Sequence, residues 1–270
     1  MNNLEKEYLQ ARPYTEENPL MILSLGWGVQ SWTLAAMAAL GEIPMPDYAV
    51  HADTTHEMAG TYAHAEKWTP WLLDHGVKVV TVSAPNTNVM REYTNSLGIE
   101  IPAFTGEGQI KRQCTNHWKI QPIRKFVRRL IGNGRSNKVE MWQGISIDEW
   151  QRMRTADVNY ITNIYPLVDR RISRTACISW LEAKGLDVPP KSSCTFCPYH
   201  NIASWKAMKR ANGPDWHEAV NVDTQIRNKL PPAPLFLHGS RVALPKAVNI
   251  PEDHGAKQLE LPCDSGFCFN

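Results

Sequence analysis

The chain has 270 residues, 43% of them hydrophobic, and its 29 Lys and Arg against 27 Asp and Glu give a formal net charge of +2. That is enough apolar sequence for one large domain with a real core, and too little charge to argue a nucleic-acid partner from electrostatics alone. No run approaches the ~18 apolar residues of a membrane span, and the polar opening Met1-Asn2-Asn3-Leu4-Glu5-Lys6 is unlike a signal peptide. A cytoplasmic protein is therefore expected, with six cysteines that bind metal or react rather than pair as disulfides.

After a polar arm, Met21–Leu25 reads as a short buried strand and Trp32–Leu40 as a helix rich in Ala and Leu. The connection, Ser24-Leu25-Gly26-Trp27-Gly28-Val29-Gln30-Ser31, holds two glycines between serines. Such a turn aims backbone N–H groups and a helix N-terminus at one point, which suits an anionic group such as phosphate. A tight turn without a ligand is the alternative. No Lys follows the glycines, which excludes a Walker loop, and Ser31 stands where the dinucleotide fingerprint needs its third glycine.

Tyr48–Asp53 is the second predicted strand, Glu57–His75 a helix and Lys78–Ser83 the third strand. In an open α/β sheet the carboxyl ends of neighbouring strands face one crevice, which brings Asp53 toward Gly26. A helix cap formed by Thr54 or Thr55 with Glu57 explains the same segment without a ligand. Residues 95–113 read as a loop, Gln121–Ile131 as a helix with Pro122 in its first turn, and Lys138–Ile145 as a strand. Alternating strands and helices predict an α/β fold, a three-layer open parallel sheet. After Pro166 the alternation fades, and Pro231-Pro232-Ala233-Pro234 marks a boundary. The expected organisation is an arm (1–19), a nucleotide-binding α/β domain (20–167), a Cys-containing helical region packed on it (168–230) and a tail (231–270).

Cys194-Thr195-Phe196-Cys197 is a C-x-x-C knuckle, which by itself fits a redox disulfide, zinc or an iron–sulfur cluster. Cys114 and Cys177 are further possible ligands, although Cys177 also reads as a small buried hydrophobe on a helix face with Ile178 and Leu181. Cys263 and Cys268 lie in the tail. Lys119, Arg124, Lys125, Arg128 and Arg129 form a cationic strip, ordinarily a solvated face.

The Ser24–Ser31 pattern resembles the PP-loop of the ATP pyrophosphatase superfamily, in its phosphoadenosine-phosphosulfate-reductase-like branch. The commoner motif there has Asp where this chain has Gln30. The resemblance implies an adenine nucleotide alpha hydrolase-like sheet, with ATP phosphates on Ser24, Gly26, Trp27, Gly28, Val29, Gln30 and Ser31 and Mg²⁺ neutralising them. It makes Asp53 and Glu57 candidates for Mg²⁺ or nucleotide contacts. Gly144 to Arg154 resembles the family's Gly-x-x-x-x-Glu-x-x-Arg turn, in which Glu149 and Arg152 would hold substrate or couple a loop to it; a simple salt bridge at a helix start is the alternative.

Cys114, Lys119 and Pro122 match a segment of iron–sulfur adenylylsulfate reductases, with Thr115 replacing that segment's second cysteine. By this resemblance Cys114, Cys177, Cys194 and Cys197 would hold a 4Fe-4S cluster, with Zn²⁺ as the alternative, and Lys119 would offset charge beside it. Three ligands instead of four would leave one iron open to hydrosulfide. The tail thiols Cys263 and Cys268 are similar in position only to the mobile nucleophile of sulfonucleotide reductases; a persulfide carrier, a second metal clip and idle thiols all remain open. The implied function is an ATP-dependent sulfurtransferase that adenylates an acceptor oxygen and replaces it with sulfur. Its implied partners are a nucleotide, a sulfur donor such as a cysteine desulfurase, and a tRNA or DNA acceptor. The alternatives are a thiol-dependent sulfonucleotide reductase and a non-enzymatic, zinc-stabilised nucleic-acid-binding module.

Overall fold

Five short strands, β1 (Leu20–Ser24), β2 (Tyr48–Asp53), β3 (Val79–Ser83), β6 (Val139–Trp142) and β7 (Ile161–Ile164), form one parallel sheet in the order β3-β2-β1-β6-β7. A separate antiparallel pair, β4 (Met90–Tyr93) and β5 (Ser96–Ile99), stands outside it. The computed structural model describes residues 14–249 except 16, 94–95, 133–137 and 230–232. Cys263 and Cys268, and with them the expected sulfur-carrying tail, lie outside the described residues.

The three inner strands β2, β1 and β6 are buried on both faces because their residues alternate between two cores, whereas the outer strands β3 and β7 are more exposed. Leu20 and Ile22 of β1, with Tyr48 and Val50 of β2, pack on helix α3 (Gln121–Ile131) through Ile123, Phe126 and Val127. Leu23 and Ala49 face the other way, toward α1 (Val29–Ala39), α2 (Ala59–Asp74) and α5 (Arg174–Ala183). A four-residue helix, α4 (Pro166–Asp169), precedes α5. The result is a helix–sheet–helix sandwich, the expected three-layer α/β fold. Ile22 pairs with both Tyr48 and Met141, so β1 is central. Strand order reverses between β1 and β6, and the crevice at that reversal is where open α/β sheets take ligands.

A third core lies beyond the sheet. Helices α6 (Ile202–Ala211) and α7 (Pro214–Ile226), with the short α8 (Leu244–Ala247), bury Trp205, Trp216 and Leu244 against Ile101, Trp118 and Phe196. Residues 95–113, expected to be loop throughout, contribute β5 and the buried Ile99, Ile101 and Ala103 to this core. Before α3 the chain makes a π-helical turn, Thr115–Ile120, that turns Trp118 and Lys119 inward. Such wide turns recur at functional sites.

Candidate functional site

The loop between β1 and α1 is shaped by its core-facing residues. Trp27 takes φ +56°, an uncommon conformation for a bulky residue. Its indole is fully buried against Trp32 and His64, which holds the backbone in that bend. Helix α1 begins at Val29, earlier than expected, so Gln30 and Ser31 belong to its first turn. Gly28 is the cap residue; no side chain caps the helix, and no acid lies in its first turn. The first N–H groups of a helix have no intrahelical acceptor, so this end carries partial positive charge. Ser24 is buried at the end of β1, and its hydroxyl has no hydrogen-bond partner among the described residues.

Ser24 also borders a cavity of about 330 Å³ at the strand-order reversal. Its walls are apolar at Ile123, Met141 and Ile161, and carry the amides of Gln143 and Asn163. That volume sits at the lower end of the ~300–1,000 Å³ typical of small-molecule sites.

Gly144 lets the segment that follows β6 approach this loop. A Cβ there would lie 2.7 Å from the Ser31 backbone nitrogen and 2.9 Å from its Cα, which no side chain tolerates. The approach brings the 3₁₀ turn Ile147–Arg152 onto Gln30. Gln30 Nε2 donates to Glu149 Oε2 at 3.0 Å and to Ser146 Oγ at 3.4 Å, and Arg174 Nη1 donates to Gln30 Oε1 at 2.7 Å. Arg152 pairs with the same Glu149 oxygen. Burial raises the Glu149 carboxyl above its ordinary value, against the pull of Arg152. Glu149, Arg152 and the loop thus form one buried network, more than an exposed helix-start salt bridge.

On the other side, His51 of β2 donates from Nδ1 to the Leu25 carbonyl at 3.0 Å, and burial lowers its pKa, keeping it neutral. Asp53 Oδ1 accepts from Thr55 N and from Tyr62 Oη, both at 2.7 Å. Glu57 is buried and pairs with Lys119 Nζ at 3.1 Å, while Thr54 Oγ1 lies 3.2 Å from Glu57 Oε1 and 3.3 Å from Cys194 Sγ.

The C-x-x-C segment is stitched to both sides of the crevice. Ser192 Oγ donates to the Gly26 carbonyl at 2.5 Å, Met58 N donates to Ser193 O, and Thr195 N donates to His56 O. Cys114, Cys194 and Cys197 border one small space of about 30 Å³, together with Lys119. Burial, with the Glu57 charge beside it, pushes the Cys194 thiol well above its ordinary pKa against the pull of Lys119. Among the described residues no group of three His, Cys, Asp or Glu already converges in ion-binding geometry.

Cys177 is not brought to this place. It is fully buried between α1 and α5 in the other core, where burial pushes its thiol up to about 11. The structure does not bring it together with the other three thiols as expected: its helix packs on α1, whereas Cys114 and Cys194 pack on the third core and share a small space with Cys197. Sequence reasoning also missed Ser192, Ser146 and Gly144 as loop partners, and assigned nothing to His51. Only Gly144 carried a signal, as the glycine opening the motif that ends at Arg152.

Cys114, Cys194 and Cys197 are the residue types an iron–sulfur cluster or zinc would take, but as placed they border one small space without forming an ion-binding group. On the α1 side of the loop the residues do not fit Mg²⁺: position 30 is an amide committed to Arg174, and Glu149 is committed to Arg152 and Gln30. On the β2 side Asp53 keeps one oxygen without a hydrogen-bond partner among the described residues.

The fold and site together define an α/β protein with an uncapped strand–loop–helix at the reversal of its parallel sheet. No protein-family model matches the chain, and no curated protein matches it. Among solved structures it is similar to a phosphoadenylyl-sulfate (PAPS) reductase from Candida auris in a phosphate complex, at 10% identity and a TM-score of 0.40, over 69% of this chain and 89% of that one. It is also similar to the U34-tRNA thiolase NcsA from Methanococcus maripaludis with its 4Fe-4S cluster, at 12% identity and a TM-score of 0.42, over 84% of this chain and 74% of that one. Likeness at these scores does not extend to individual residues.

Proposed function

We propose that the chain is an ATP-dependent sulfurtransferase of the PP-loop type. The observation that carries this reading is the Ser192–Gly26 hydrogen bond, because it ties the thiol-bearing segment to the anion-binding loop. Cys194 follows two residues later, a span of at most about 7 Å of chain.

The N–H groups of the loop and of the first turn of α1, with the Ser24 hydroxyl, hold the phosphates of ATP. The neighbouring cavity takes its nucleoside between apolar walls and the Gln143 and Asn163 amides. An acceptor oxygen attacks the α-phosphorus, the new P–O bond forms, and the bond to pyrophosphate breaks. Hydrosulfide from a sulfur donor then attacks the acceptor atom, and AMP departs with the original oxygen. The loop stabilises phosphate charge in the first step, where developing charge is greatest. An iron–sulfur cluster bound by Cys114, Cys194 and Cys197 would supply a place to hold inorganic sulfide. Lys119, paired with Glu57 at the edge of the thiol space, supplies the cation that offsets negative charge there. A zinc ion is the second reading of the thiol set, favoured by the small size of the space the thiols border, about 30 Å³.

Anaerobic purification with iron, zinc and acid-labile sulfide analysis, followed by ATP–pyrophosphate exchange in the presence of tRNA, DNA or small acceptors, tests the proposal. Iron with matching sulfide and acceptor-dependent exchange are expected. A protein that holds neither metal and binds no ATP would overturn it.

A further inference from the structure

The loop departs from its resemblance at one position, and the structure gives that departure a partner. An Asp at position 30 would offer a carboxylate to a metal; Gln30 offers none, and its carbonyl oxygen instead receives Arg174 Nη1 at 2.7 Å. Gln30 is itself fixed from behind by Glu149 and Ser146. The Arg174 backbone is fixed too, since its N–H donates to Asp148 Oδ1 at 3.0 Å and Ser173 caps α5 one residue earlier. Arg174 is half-buried, and apart from Nη1 its guanidinium has no hydrogen-bond partner among the described residues. A guanidinium presents several donors in a rigid fork that matches phosphate oxygens. One prong is therefore used to hold the side chain against the first turn of α1, and the others remain for a ligand beside the loop.

The charges around the fork are two acids and two bases. Within this network Glu149 is matched by Arg152, and the Asp148 carboxyl, which burial would raise, is held below its ordinary value by Ser146, its backbone bonds and Arg174. The side chain at position 30 is neutral, and among the described residues no carboxylate hydrogen-bonds the Arg174 guanidinium head, although Asp148 and Glu149 both feel its charge.

We infer that Arg174, tethered by Gln30, is the cation that neutralises phosphate on the α1 side of the loop, in place of a protein-ligated metal ion at that position. This rests on the reading of Ser24–Ser31 as a phosphate site. It makes Arg174 a phosphate-contacting residue and Gln30 the residue that positions it. Polyphosphate binding at the loop accordingly does not require a divalent cation.

The test is calorimetric titration of the full-length protein with inorganic pyrophosphate and with ATP, in EDTA and in excess Mg²⁺. The wild type should bind both ligands in EDTA, within about threefold of its affinity in Mg²⁺. Arg174→Gln should weaken binding in EDTA by about 10- to 100-fold, the scale of a lost charge-assisted fork. Arg174→Lys keeps the charge but loses the fork, and should recover part of the loss. Gln30→Asp should pair with the guanidinium and weaken binding in EDTA while making it more responsive to Mg²⁺. Thermal unfolding of each variant separates lost binding from lost folding. Wild-type binding that appears only with Mg²⁺, or a folded Arg174→Gln that binds as well as wild type in EDTA, would overturn the inference and leave the phosphate site standing. No binding of either ligand in either buffer would overturn the phosphate site itself.

Discussion

The Ser192 hydroxyl donates to the Gly26 carbonyl at 2.5 Å, and the Cβ that Gly28 lacks would meet Ser192 Cβ at 3.7 Å. The C-x-x-C segment therefore closes over the loop like a strap fastened at its centre, then runs on to the β2 side through Ser193 and Thr195. Ser192→Ala removes one neutral hydrogen bond, so a stability loss of about 1 kcal/mol is expected. Its effect on ligand coupling should be larger: metal bound at the thiols should no longer change ATP affinity. Calorimetry of metal-loaded and metal-free protein, wild type against variant, reads this directly.

Gly144 is the position where a single methyl group does most harm. The added Cβ would press on the Ser31 backbone, which cannot rotate away as a flexible side chain can. Gly144→Ala is expected to cost about 1–3 kcal/mol, the range for overpacking a tight contact. Because the pressure falls on the first turn of α1, ATP affinity should fall together with the unfolding temperature.

The four described cysteines should divide three to one. Cys114→Ala, Cys194→Ala and Cys197→Ala should each lower bound iron or zinc. Cys177→Ala should leave metal content unchanged and cost about 1–2 kcal/mol of stability for a small void. Metal analysis of the four purified variants checks it, and loss of metal in Cys177→Ala would count against the three-thiol set.

The C-x-x-C segment should also be pH-sensitive through His56. Its Nδ1 lies 2.7 Å from Glu218 Oε1 and its Nε2 lies 3.1 Å from the Thr87 carbonyl. Both partners accept hydrogen bonds at these distances, so the pair of bonds favours the imidazolium. Burial opposes that charge, but the Glu218 bond and charge, with the Thr87 bond, raise the pKa above 6.5. Burial likewise opposes the Glu218 charge, and its bonds from His56 and Thr195 bring its pKa below 4.5. A raised basic group stabilises fully below its unfolded pKa and loses that contribution as pH rises through its folded pKa. A lowered acid stabilises above its unfolded pKa and loses it as pH falls through its folded pKa. The stability difference between wild type and Glu218→Gln should therefore be greatest between about pH 4.5 and 6.5, and shrink on either side. Melting temperatures across that range measure it.

The strand–loop–helix, the next two strands and α3 were legible because each carries a strong local signal: apolar runs, paired glycines, a proline in a first turn. Strand β7 was not, since Ile-Thr-Asn-Ile is four residues long with only Ile161 buried, too short for alternation to register. Strand β4 was assigned to no element and β5 fell within the expected loop because both are equally short. At the site, Glu149 and Arg152 were found through their motif, but their contact was not. Gln30 and Glu149 are 119 residues apart, and no local pattern encodes a pairing made by sheet order. Cys177 misled for the converse reason: a cysteine near a thiol motif in sequence faces the opposite layer once its helix packs on α1.

Trp27 has the most to say about how this loop responds to a ligand. Because an indole wedged among Trp32 and His64 dictates the bend, the cradle is shaped before anything enters it, and binding has little backbone freedom left to remove. On the proposed reading, affinity for phosphate would be coupled to aromatic packing behind the loop, so a substitution at Trp68, which packs on Trp32, would be felt as a change in grip.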